Sequence, residues 1–431
     1  MLYFPTVNKT KGSAYVIKHI CEESSRCLQC KKPFCQDGCP VGTPIREMIR
    51  LVQENKINEA GEMLFENNPL SVICGIVCPH ESFCEGHCIL DRKGNPIHIG
   101  TIENYVSDYY LDKVEARVSV DPDKKIAIIG SGPAGLTAAI LLAREGFSVT
   151  VFESHEKIGG VLRCGIPEFR LPKSILDRYS TLLEKLRVKV RPNTVIGPVL
   201  TLDDLFRDGY KAVFVATGTW KPRKLNIPGE SLGNVFYAID YLRSPETHGT
   251  GEIVAVIGGG NVALYSARTA IRRGAKQVVV FYRRRESDMP SSIYEIKYAK
   301  LDGVRFEYNK VPTAITDEGL MVADAEIEID EEGNEKLSVI EESSELFKAD
   351  SVIISISQGP QANIVRTARD MKLDRLGLVI TNESGKTSKE GVFAAGDVVT
   401  GAKTVVEAVA MTKSIVSEIK EYVNSKTGCK N

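Results

Sequence analysis

The sequence predicts an α/β chain in which a helical N-terminal domain is followed by two Rossmann-like domains. Its cysteines are concentrated in two short runs among helical-looking segments, RCLQCKKPFCQDGCP and CGIVCPHESFCEGHC. Two glycine-rich turns follow, in KIAIIGSGPAGL and in VAVIGGGNVAL. Each turn comes directly after a short apolar run and directly before an alanine-rich helical segment, which is the strand–turn–helix order of a Rossmann unit.

Chain length and net charge limit the number of domains and the classes of partner. The 431 residues suffice for two or three domains with full cores. The formal net charge of −1 gives no bulk field that would attract nucleic acid or an anionic membrane. No apolar run approaches the length of a membrane span, and the start, MLYFPTVNKTKGSAY, lacks an apolar signal region. We therefore expect a cytoplasmic protein with neither nucleic acid nor membrane as a partner.

The N-terminal segment, up to about residue 120, carries nine of the eleven cysteines; only Cys164 and Cys429 fall elsewhere. A disulfide framework is unsuited to a large cytosolic chain. Paired zinc sites usually repeat the C-x2-C spacing, which here occurs only at Cys27 and Cys30. The first run, C-x2-C-x4-C-x3-C-P, ends like a ferredoxin run, whose last cysteine serves the other cluster in two-cluster proteins. Two iron–sulfur clusters fit this pattern best.

The first glycine turn follows a polar linker, SVDPDKK, and a short strand from Ile126 to Ile129. Its Gly130-x-Gly132-x-x-Gly135 pattern lets the backbone approach a pyrophosphate at a helix N-terminus. Glu153 ends the next strand, where a carboxylate accepts ribose hydroxyls. The sequence between the two turns predicts one helix and one strand in LPKSILDRYSTLLEKLRVKV.

The second turn, Gly258-x-Gly260-x-x-Ala263, is followed by a strand that ends in arginines rather than an acid. An acid there would repel a 2′-phosphate, whereas Arg283 and Arg284 would bind it, so the pattern favours NADPH over NADH. Further on, residues 322 to 350 alternate in the manner of an exposed antiparallel hairpin.

The C-terminal segment GVFAAGDVVTGAKTVVEAVA holds a further candidate flavin contact. A short strand from Val392 delivers Gly396 and Asp397 to a helix start. An aspartate there can hold ribityl hydroxyls, and the helix N-terminus can face the anionic edge of a flavin. Two dinucleotide turns in one chain suggest a flavin and a nicotinamide, and this segment suits the flavin.

The chain resembles the family that contains the small subunit of bacterial glutamate synthase. That family also contains the N-terminal half of dihydropyrimidine dehydrogenase and the larger subunit of the NADH-dependent ferredoxin:NADP oxidoreductases. The resemblance covers nearly the whole chain and is carried by RCLQCKKPFCQDGCP, NPLSVICGIVCPHESFCEGHC, IGSGPAGL, GGVLRCGIPEFRLPKSILD, VATGT, VIGGGNVA, YRRRESDMP and VFAAGDVVTGAKTVVEA.

The resemblance implies a second Rossmann domain inserted in the first. The expected domains are 1–120 for two [4Fe–4S] clusters, 121–225 with 360–431 for FAD, and 226–359 for NAD(P)H. The implied FAD contacts are Gly130, Ser131, Gly132, Pro133, Ala134, Gly135, Glu153, Gly159, Gly160, Arg170, Ile196, Thr217, Gly218 and the segment from Gly396 and Asp397 to Lys403 and Thr404. The implied nicotinamide contacts are Gly259, Gly260, Asn261, Val262, Arg283 and Arg284. Ser357 departs from the pattern, because many relatives have a glycine there.

The resemblance also implies a crossed set of cluster ligands. One cluster takes Cys27, Cys30, Cys35 and Cys88; the other takes Cys39, Cys78, Cys84 and a fourth group. In glutamate synthase-like chains the residue at Cys74 ligates, and in dehydrogenase-like chains an acid or amide on the following helix does so. IGTIENYV places Glu103 at that point, and we predict Glu103. Cys21, Cys164 and Cys429 are not expected to be ligands, and the six histidines are expected to be surface or packing residues.

The function that follows is an electron-input subunit. It would transfer hydride from NADPH (or NADH) to FAD and then pass single electrons through the two clusters to an electron-accepting, flavin-containing partner in a hetero-oligomer. No side chain need act as acid or base in the hydride step. The predicted partner is dihydropyrimidine dehydrogenase-like; the alternatives are the large subunit of glutamate synthase and a bifurcating partner that handles ferredoxin. A cofactor-holding scaffold and a self-contained reductase of a small acceptor are the rival classes.

Overall fold

The computed structural model describes residues 12–116, 119–329, 335–361, 364, 368 and 370–427. Their contacts form two compact units. The first consists of the described residues within 1–163, 168–219 and 360–431, and the second of those within 164–167 and 220–359.

The chain begins with helices. In order they are α1 Gly12–Ser25, α2 Phe34–Asp37, α3 Ile45–Gln53, α4 Ile57–Asn67, α5 Ser71–Val77, a 3₁₀ helix Ile89–Lys93 and α6 Ile99–Leu111. Apolar residues recur along α3 at helical spacing, so Met48, Ile49 and Val52 all fall on its buried face. They pack with Ile102 and Val106 of α6 into one core.

The first strand–turn–helix series follows directly. Its elements are β1 Asp121–Ile129, α7 Pro133–Arg144, β2 Phe147–Phe152, α8 Val161–Cys164, α9 Lys173–Lys185, β3 Lys189–Arg191, α10 Leu202–Arg207 and β4 Ala212–Val215. The segment SVDPDKK, expected to be a polar linker, is only partly a linker. Its residues from Asp121 onward already belong to β1. The Asp121 N–H donates to the carbonyl of Gly146 (2.8 Å), and the register then shifts before Lys125.

The second unit holds the second series and an antiparallel sheet. Its elements are β5 Lys221–Pro222, β6 Val235–Tyr237, α11 Ala238–Arg243, a 3₁₀ helix Pro245–Thr247, β7 Ile253–Ile257, α12 Asn261–Arg272, β8 Gln277–Tyr282, a 3₁₀ helix Glu286–Asp288, α13 Ile293–Leu301, β9 Arg305–Tyr308, β10 Lys310–Thr316, β11 Gly319–Ile329, β12 Glu335–Lys348, β13 Ser351–Ile354 and β14 Gln358–Gly359. The chain then returns to the first unit with β15 Val392–Ala394, α14 Asp397–Thr400 and α15 Val405–Thr427.

Each unit has a parallel sheet of five strands among the described residues. The order is β15-β4-β1-β2-β3 in the first unit and β6-β13-β7-β8-β9 in the second. The second series lies in the chain between β4 and β15 of the first sheet, so the predicted α/β class with an inserted Rossmann domain is confirmed. The predicted hairpin is also confirmed: β11 pairs with β12, and β10 extends it to three strands. Residues 330–334 of that hairpin lie outside the described residues.

The helical N-terminal segment packs on the first Rossmann sheet's helices within one unit. The Tyr179 hydroxyl of α9 donates to the carbonyl of Pro69 (2.7 Å) and is fully buried. Arg178 binds Asp112 (3.0 Å) and Asp108 at the end of α6. These contacts hold the cysteine-bearing helices against the domain of the first glycine turn.

Candidate cofactor sites

Four of the predicted cluster ligands share one cavity. Cys27, Cys30 and Cys35 come from the first run, and Cys88 from the end of the second, and all four line the same cavity in the N-terminal helical segment. The remaining walls are largely apolar: Leu28, Pro33, Phe34, Ile45, Ile49, Ile89, Leu90, Ile97 and Ile99. The structure therefore brings together the crossed set that the resemblance implies for one cluster.

The thiols of this cavity are poor at ionising on their own. Burial and the neighbouring thiols raise the pKa of Cys35 to about 11, and burial also raises the pKa of Cys27. Metal binding has to displace those protons, because the ligand is the thiolate. Among the residues described, no three His, Cys, Asp or Glu side chains lie close enough to hold one metal ion. Four thiols around one cavity match the ligand number of a [4Fe–4S] cluster.

The second group of cysteines meets between α5 and α6. Cys78 follows α5, and a Cβ on Gly75 of that helix would come within 2.7 Å of the backbone of Asn104 on α6. This close approach places Glu103 beside Cys78 and Cys84, whose pKa values it helps to raise. Cys39 interacts electrostatically with Cys84, so the first run contributes to the second group as well.

Both candidates for the fourth ligand reach this second group. The thiols of Cys74 and Cys78 are hydrogen-bonded, and that bond together with burial raises the pKa of Cys78 well above its usual range. Burial raises the pKa of the Glu103 carboxyl to about 8. Both Cys74 and Glu103 are therefore close enough to this group of cysteines to be its fourth ligand.

The other cysteines stand apart from these groups. Cys21 is exposed and Cys164 is half-buried, and neither lines the cavity described above. Cys429 lies outside the described residues. His80 has the packing role, one of the two roles expected of the histidines: its Nε2 is buried and has no hydrogen-bond partner among the described residues, and burial with the nearby Arg170 charge lowers its pKa to about 4.

The first glycine turn is built for close backbone approaches. Gly130 has φ +96°, and a Cβ there would lie 2.5 Å from the carbonyl of Ala216. A Cβ on Gly135 would lie 2.0 Å from the carbonyl of Gly130, so both positions require glycine. A Cβ on Gly132 would meet nothing within 4 Å, which leaves open space at the N-terminus of α7. A dinucleotide pyrophosphate fits that open space.

Glu153 is held in place before any ligand binds. Its Oε2 accepts hydrogen bonds from the N–H (3.0 Å) and the hydroxyl of Ser131. Its Oε1 accepts a hydrogen bond from the N–H of His155 and lies 2.8 Å from Nδ1 of the same residue. Burial would raise the pKa of Glu153, but these hydrogen bonds outweigh it and hold the pKa below its ordinary value. The carboxylate is thus ionised and oriented as a ribose acceptor. His155 was expected to be a surface or packing residue, and no spacing signal in the sequence marks it.

The other predicted FAD contacts gather around the same sheet edge. Gly160 packs on Gly132, since a Cβ on Gly160 would lie 2.8 Å from the Gly132 Cα. Thr217 and Gly218 follow β4, and Thr217 lies beside Gly130. Ile196 is buried in the core under this sheet. Arg170 points elsewhere in the described fold: its guanidinium donates to the carbonyl of Ile76, beside the second cysteine group.

The C-terminal segment meets the first turn. Gly396 has φ +75°, and a Cβ there would lie 3.0 Å from Cβ of Ala134 in the first turn of α7. Burial raises the pKa of Asp397 to about 6, although its Oδ1 accepts from the Lys403 N–H (3.2 Å). Thr404 caps α15 through reciprocal hydrogen bonds with Glu407. Ends of β1, β4 and β15 therefore bring together the residues implied for FAD.

The second turn repeats this construction in the second unit. Gly258 has φ +138°, and a Cβ there would lie 2.1 Å from the carbonyl of Ser355. A Cβ on Gly259 would strike the Tyr282 ring, whereas one on Gly260 would meet nothing within 4 Å. Asn261 begins α12, and its Oδ1 accepts from the Ser292 N–H (3.0 Å). The open space at Gly260 again suits a pyrophosphate.

The arginines after β8 differ in their contacts. Arg284 is ion-paired with Glu335, and Arg285 with Asp288 and Glu335. Arg283 is exposed, and among the described residues its guanidinium forms no ion pair. It is therefore the arginine most available to a phosphate.

Ser357 is strained. Its φ is +86°, a conformation that favours glycine. This is the position where the sequence departs from the glycine found in many relatives, and the backbone conformation matches that glycine.

Comparison with known proteins identifies the lineage. The profile of the pyridine nucleotide-disulphide oxidoreductase family matches residues 124–412, and the profile described as dihydropyrimidine dehydrogenase domain II, 4Fe-4S cluster, matches residues 7–115. The glutamate synthase [NADPH] small chain of Halomonas elongata is 35% identical over 93% of this chain and 90% of its own length. The chain belongs to the pyridine nucleotide-disulphide oxidoreductase family, in the group of the glutamate synthase small chains. The predicted resemblance is thereby confirmed.

A second member of this group is the glutamate synthase [NADPH] small chain of Escherichia coli, 33% identical over 93% of this chain and 91% of its own length. Among solved structures, Mycobacterium tuberculosis FprA in complex with NADPH matches with a TM-score of 0.61 at 20% identity, covering 71% of this chain and 86% of FprA. At that identity the likeness shows the fold.

Membership makes this chain a pyridine-nucleotide oxidoreductase with an N-terminal iron–sulfur domain, as predicted. The two relatives are small chains, that is, subunits of a larger enzyme. None of the helices in the described ranges is both long enough and apolar enough to cross a membrane.

Proposed function

We propose that this chain is an electron-input subunit that oxidises NADPH and delivers single electrons to a partner. The observation that carries the proposal is structural: four thiols line one cavity in the same compact unit as the first glycine turn. Bound at these sites, FAD and two [4Fe–4S] clusters would supply the exchange between two-electron and one-electron chemistry.

The chain's own residues bind and orient. Gly132 leaves room for the FAD pyrophosphate at the N-terminus of α7, and Glu153, fixed by Ser131 and His155, accepts the ribose hydroxyls. Asp397 would accept hydrogen bonds from the ribityl hydroxyls of the bound FAD. None of these side chains has to move a proton during hydride transfer.

NADPH is the proposed donor. Gly260 leaves the matching space at α12, and Arg283, which forms no ion pair with a described residue, offers its guanidinium for the 2′-phosphate. The names of both curated relatives specify NADPH, which supports the same choice.

The clusters are proposed on the crossed ligand sets, Cys27, Cys30, Cys35 and Cys88 for one and Cys39, Cys78, Cys84 and a fourth group for the other. Glu103 stays our prediction for that fourth group. The Cys74–Cys78 hydrogen bond and the membership of the glutamate synthase group support Cys74 instead. Matched variants decide: Glu103→Ala should reduce the iron and sulfide content by half and Cys74→Ala should not. The reverse pattern assigns the ligand to Cys74.

The proposed partner is a flavin-containing, electron-accepting subunit. A glutamate synthase large chain is supported by the names of the relatives, and a dihydropyrimidine dehydrogenase-like subunit is the competing candidate from the motifs. Purification of the native complex and identification of the second polypeptide distinguish them.

The central test uses anaerobically purified chain. We expect FAD, eight irons with matching sulfide, and NADPH-dependent reduction of ferricyanide, because both one-electron and two-electron sites are present. Zinc in place of iron, or an absence of inorganic sulfide, would contradict the proposal. Full cofactor content without turnover would support the rival interpretation as a scaffold.

A further inference from the structure

One helix connects the proposed flavin site with the cysteine-bearing helices. α15 begins at Val405, directly after the Thr404 cap of the FAD segment, and packs against both α7 and α5. Lys413 lies eight residues along it, about 12 Å at the rise of an α-helix. The same element therefore reaches from the dinucleotide site to the second cysteine group.

Lys413 is anchored among the N-terminal helices. Its Nζ donates to Oδ1 of Asn67, the last residue of α4, at 2.8 Å. The side chain is half-buried, and its charge interacts with Cys39, a proposed ligand of the second cluster. The Asn67 amide nitrogen is buried without a hydrogen-bond partner, so the anchor depends on the oxygen alone.

The acidic groups around the second cysteine group make this cation significant. Glu103 and Glu85 both interact with Cys84, and Glu103 also interacts with Cys78. A cluster held by thiolates is negative, and reduction adds another negative charge. Any carboxylate that is ionised beside the cluster therefore opposes reduction, whereas a cation held close by favours it.

We propose that Lys413 is a positioning residue that raises the reduction potential of the second cluster, so that this cluster can accept electrons delivered by the flavin. Its fixed ammonium, held by Asn67, stabilises the one-electron-reduced site. The sequence did not point to Lys413, because it and Asn67 are 346 positions apart. This inference rests on the proposed function, since it requires the cluster at Cys39, Cys78 and Cys84.

The test is a potentiometric titration of anaerobically purified full-length chain, followed by electron paramagnetic resonance. In Lys413→Gln one of the two cluster potentials should fall by about 59 mV, a tenfold change in the reduction equilibrium of one electron. The other potential should stay unchanged. Lys413→Arg keeps the charge and should keep the wild-type potential.

A second route leaves the lysine in place. Asn67→Asp places a carboxylate beside Nζ of Lys413 and removes only an amide nitrogen that has no hydrogen-bond partner among the described residues. The added negative charge should lower the potential of the same cluster that responds to Lys413→Gln. This variant decides the question if Lys413→Gln does not retain its iron. Lys420→Gln is the matched control, because Lys420 lies on the same helix and pairs with Glu145 at 2.9 Å.

The outcomes separate the two proposals. Unchanged potentials in Lys413→Gln or Asn67→Asp, with full iron and sulfide, would overturn the role of Lys413 alone. A fall of equal size in Lys420→Gln would also overturn it, because the effect would then be one of overall charge. Wild-type chain without inorganic sulfide would instead overturn the proposed function.

Discussion

Arg283 and Arg284 are neighbours in the chain and differ in what they contact. Arg284 is already bound to Glu335 of the antiparallel sheet, whereas Arg283 forms no ion pair with any described residue. The sequence presents both arginines as equal candidates for the 2′-phosphate. The difference between them comes from a strand that lies some fifty residues further along the chain.

Arg283→Ala should weaken NADPH binding by about 1.5–3 kcal/mol, the usual contribution of a hydrogen bond to a charged group, or roughly 10- to 100-fold in Kd. NADH binding should change little, because NADH lacks the 2′-phosphate. Arg284→Ala is the matched control and should have the smaller effect, since that arginine must first leave Glu335. Titrations with both nucleotides measure this, and equal losses for both would remove the case for NADPH.

Asp397 shows how a binding residue can cost stability. Burial raises its pKa from an ordinary 3.8 to about 6, so the folded protein holds this proton more tightly than the unfolded chain does. Stability from this group is therefore fully present below pH 3.8 and falls as pH rises from 3.8 to 6. At pH 7 the loss amounts to no more than about 3 kcal/mol.

Asp397→Asn should therefore stabilise the flavin-free protein at pH 7 by up to about 3 kcal/mol, and the gain should vanish near pH 4. The same variant should bind FAD more weakly, because a charge-assisted acceptor for the ribityl hydroxyls is lost. Denaturant unfolding at several pH values, with flavin binding measured in parallel, checks both. A gain in stability that does not depend on pH would refute the titration argument.

Among the elements, the packing of α5 on α6 depends on a close approach at Gly75. Gly75 lets the helices come together, and this brings Glu103 to Cys78. Gly75→Ala would place a methyl group 2.7 Å from backbone, an overpacking that typically costs 1–3 kcal/mol. We expect about half of the iron to be lost while FAD is retained. Gly233→Ala is the control, since its Cβ would meet nothing within 4 Å; equal iron loss in both would contradict the argument.

The order of the elements could be predicted because its signals are local. Apolar runs mark β1 and β7, glycines mark the turns, and alternation marks the hairpin of β11 and β12. The start of β1 was missed, since Asp121 joins the sheet through a backbone bond to Gly146 that leaves no apolar signature. The same holds for site residues: glycine turns are local patterns, whereas His155 and Lys413 gain their roles from neighbours that only the tertiary fold supplies.

At the scale of the whole molecule, the second unit is an insertion with its ends side by side. Its first and last strands, β5 and β14, pair antiparallel, with Lys221 opposite Gly359. Between them the unit has its own parallel sheet and its own buried core. The first unit is completed by β15, which pairs with β4 on the other side of the insertion.

This topology predicts that the insertion can be excised. A fragment of residues 220–359 should fold alone, unfold in one cooperative transition and bind NADPH, because all the buried residues of its core lie within it and it lacks only Cys164–Pro167 of the unit, from which Ile166 packs on that core. The remainder, with residues 219 and 360 joined by a short glycine linker, should keep FAD and eight irons but reduce no ferricyanide with NADPH. Calorimetry, cofactor analysis and nucleotide titration test the two pieces, with the intact chain as reference. A fragment that aggregates, or a remainder that loses its flavin, would show that the two units do not fold independently.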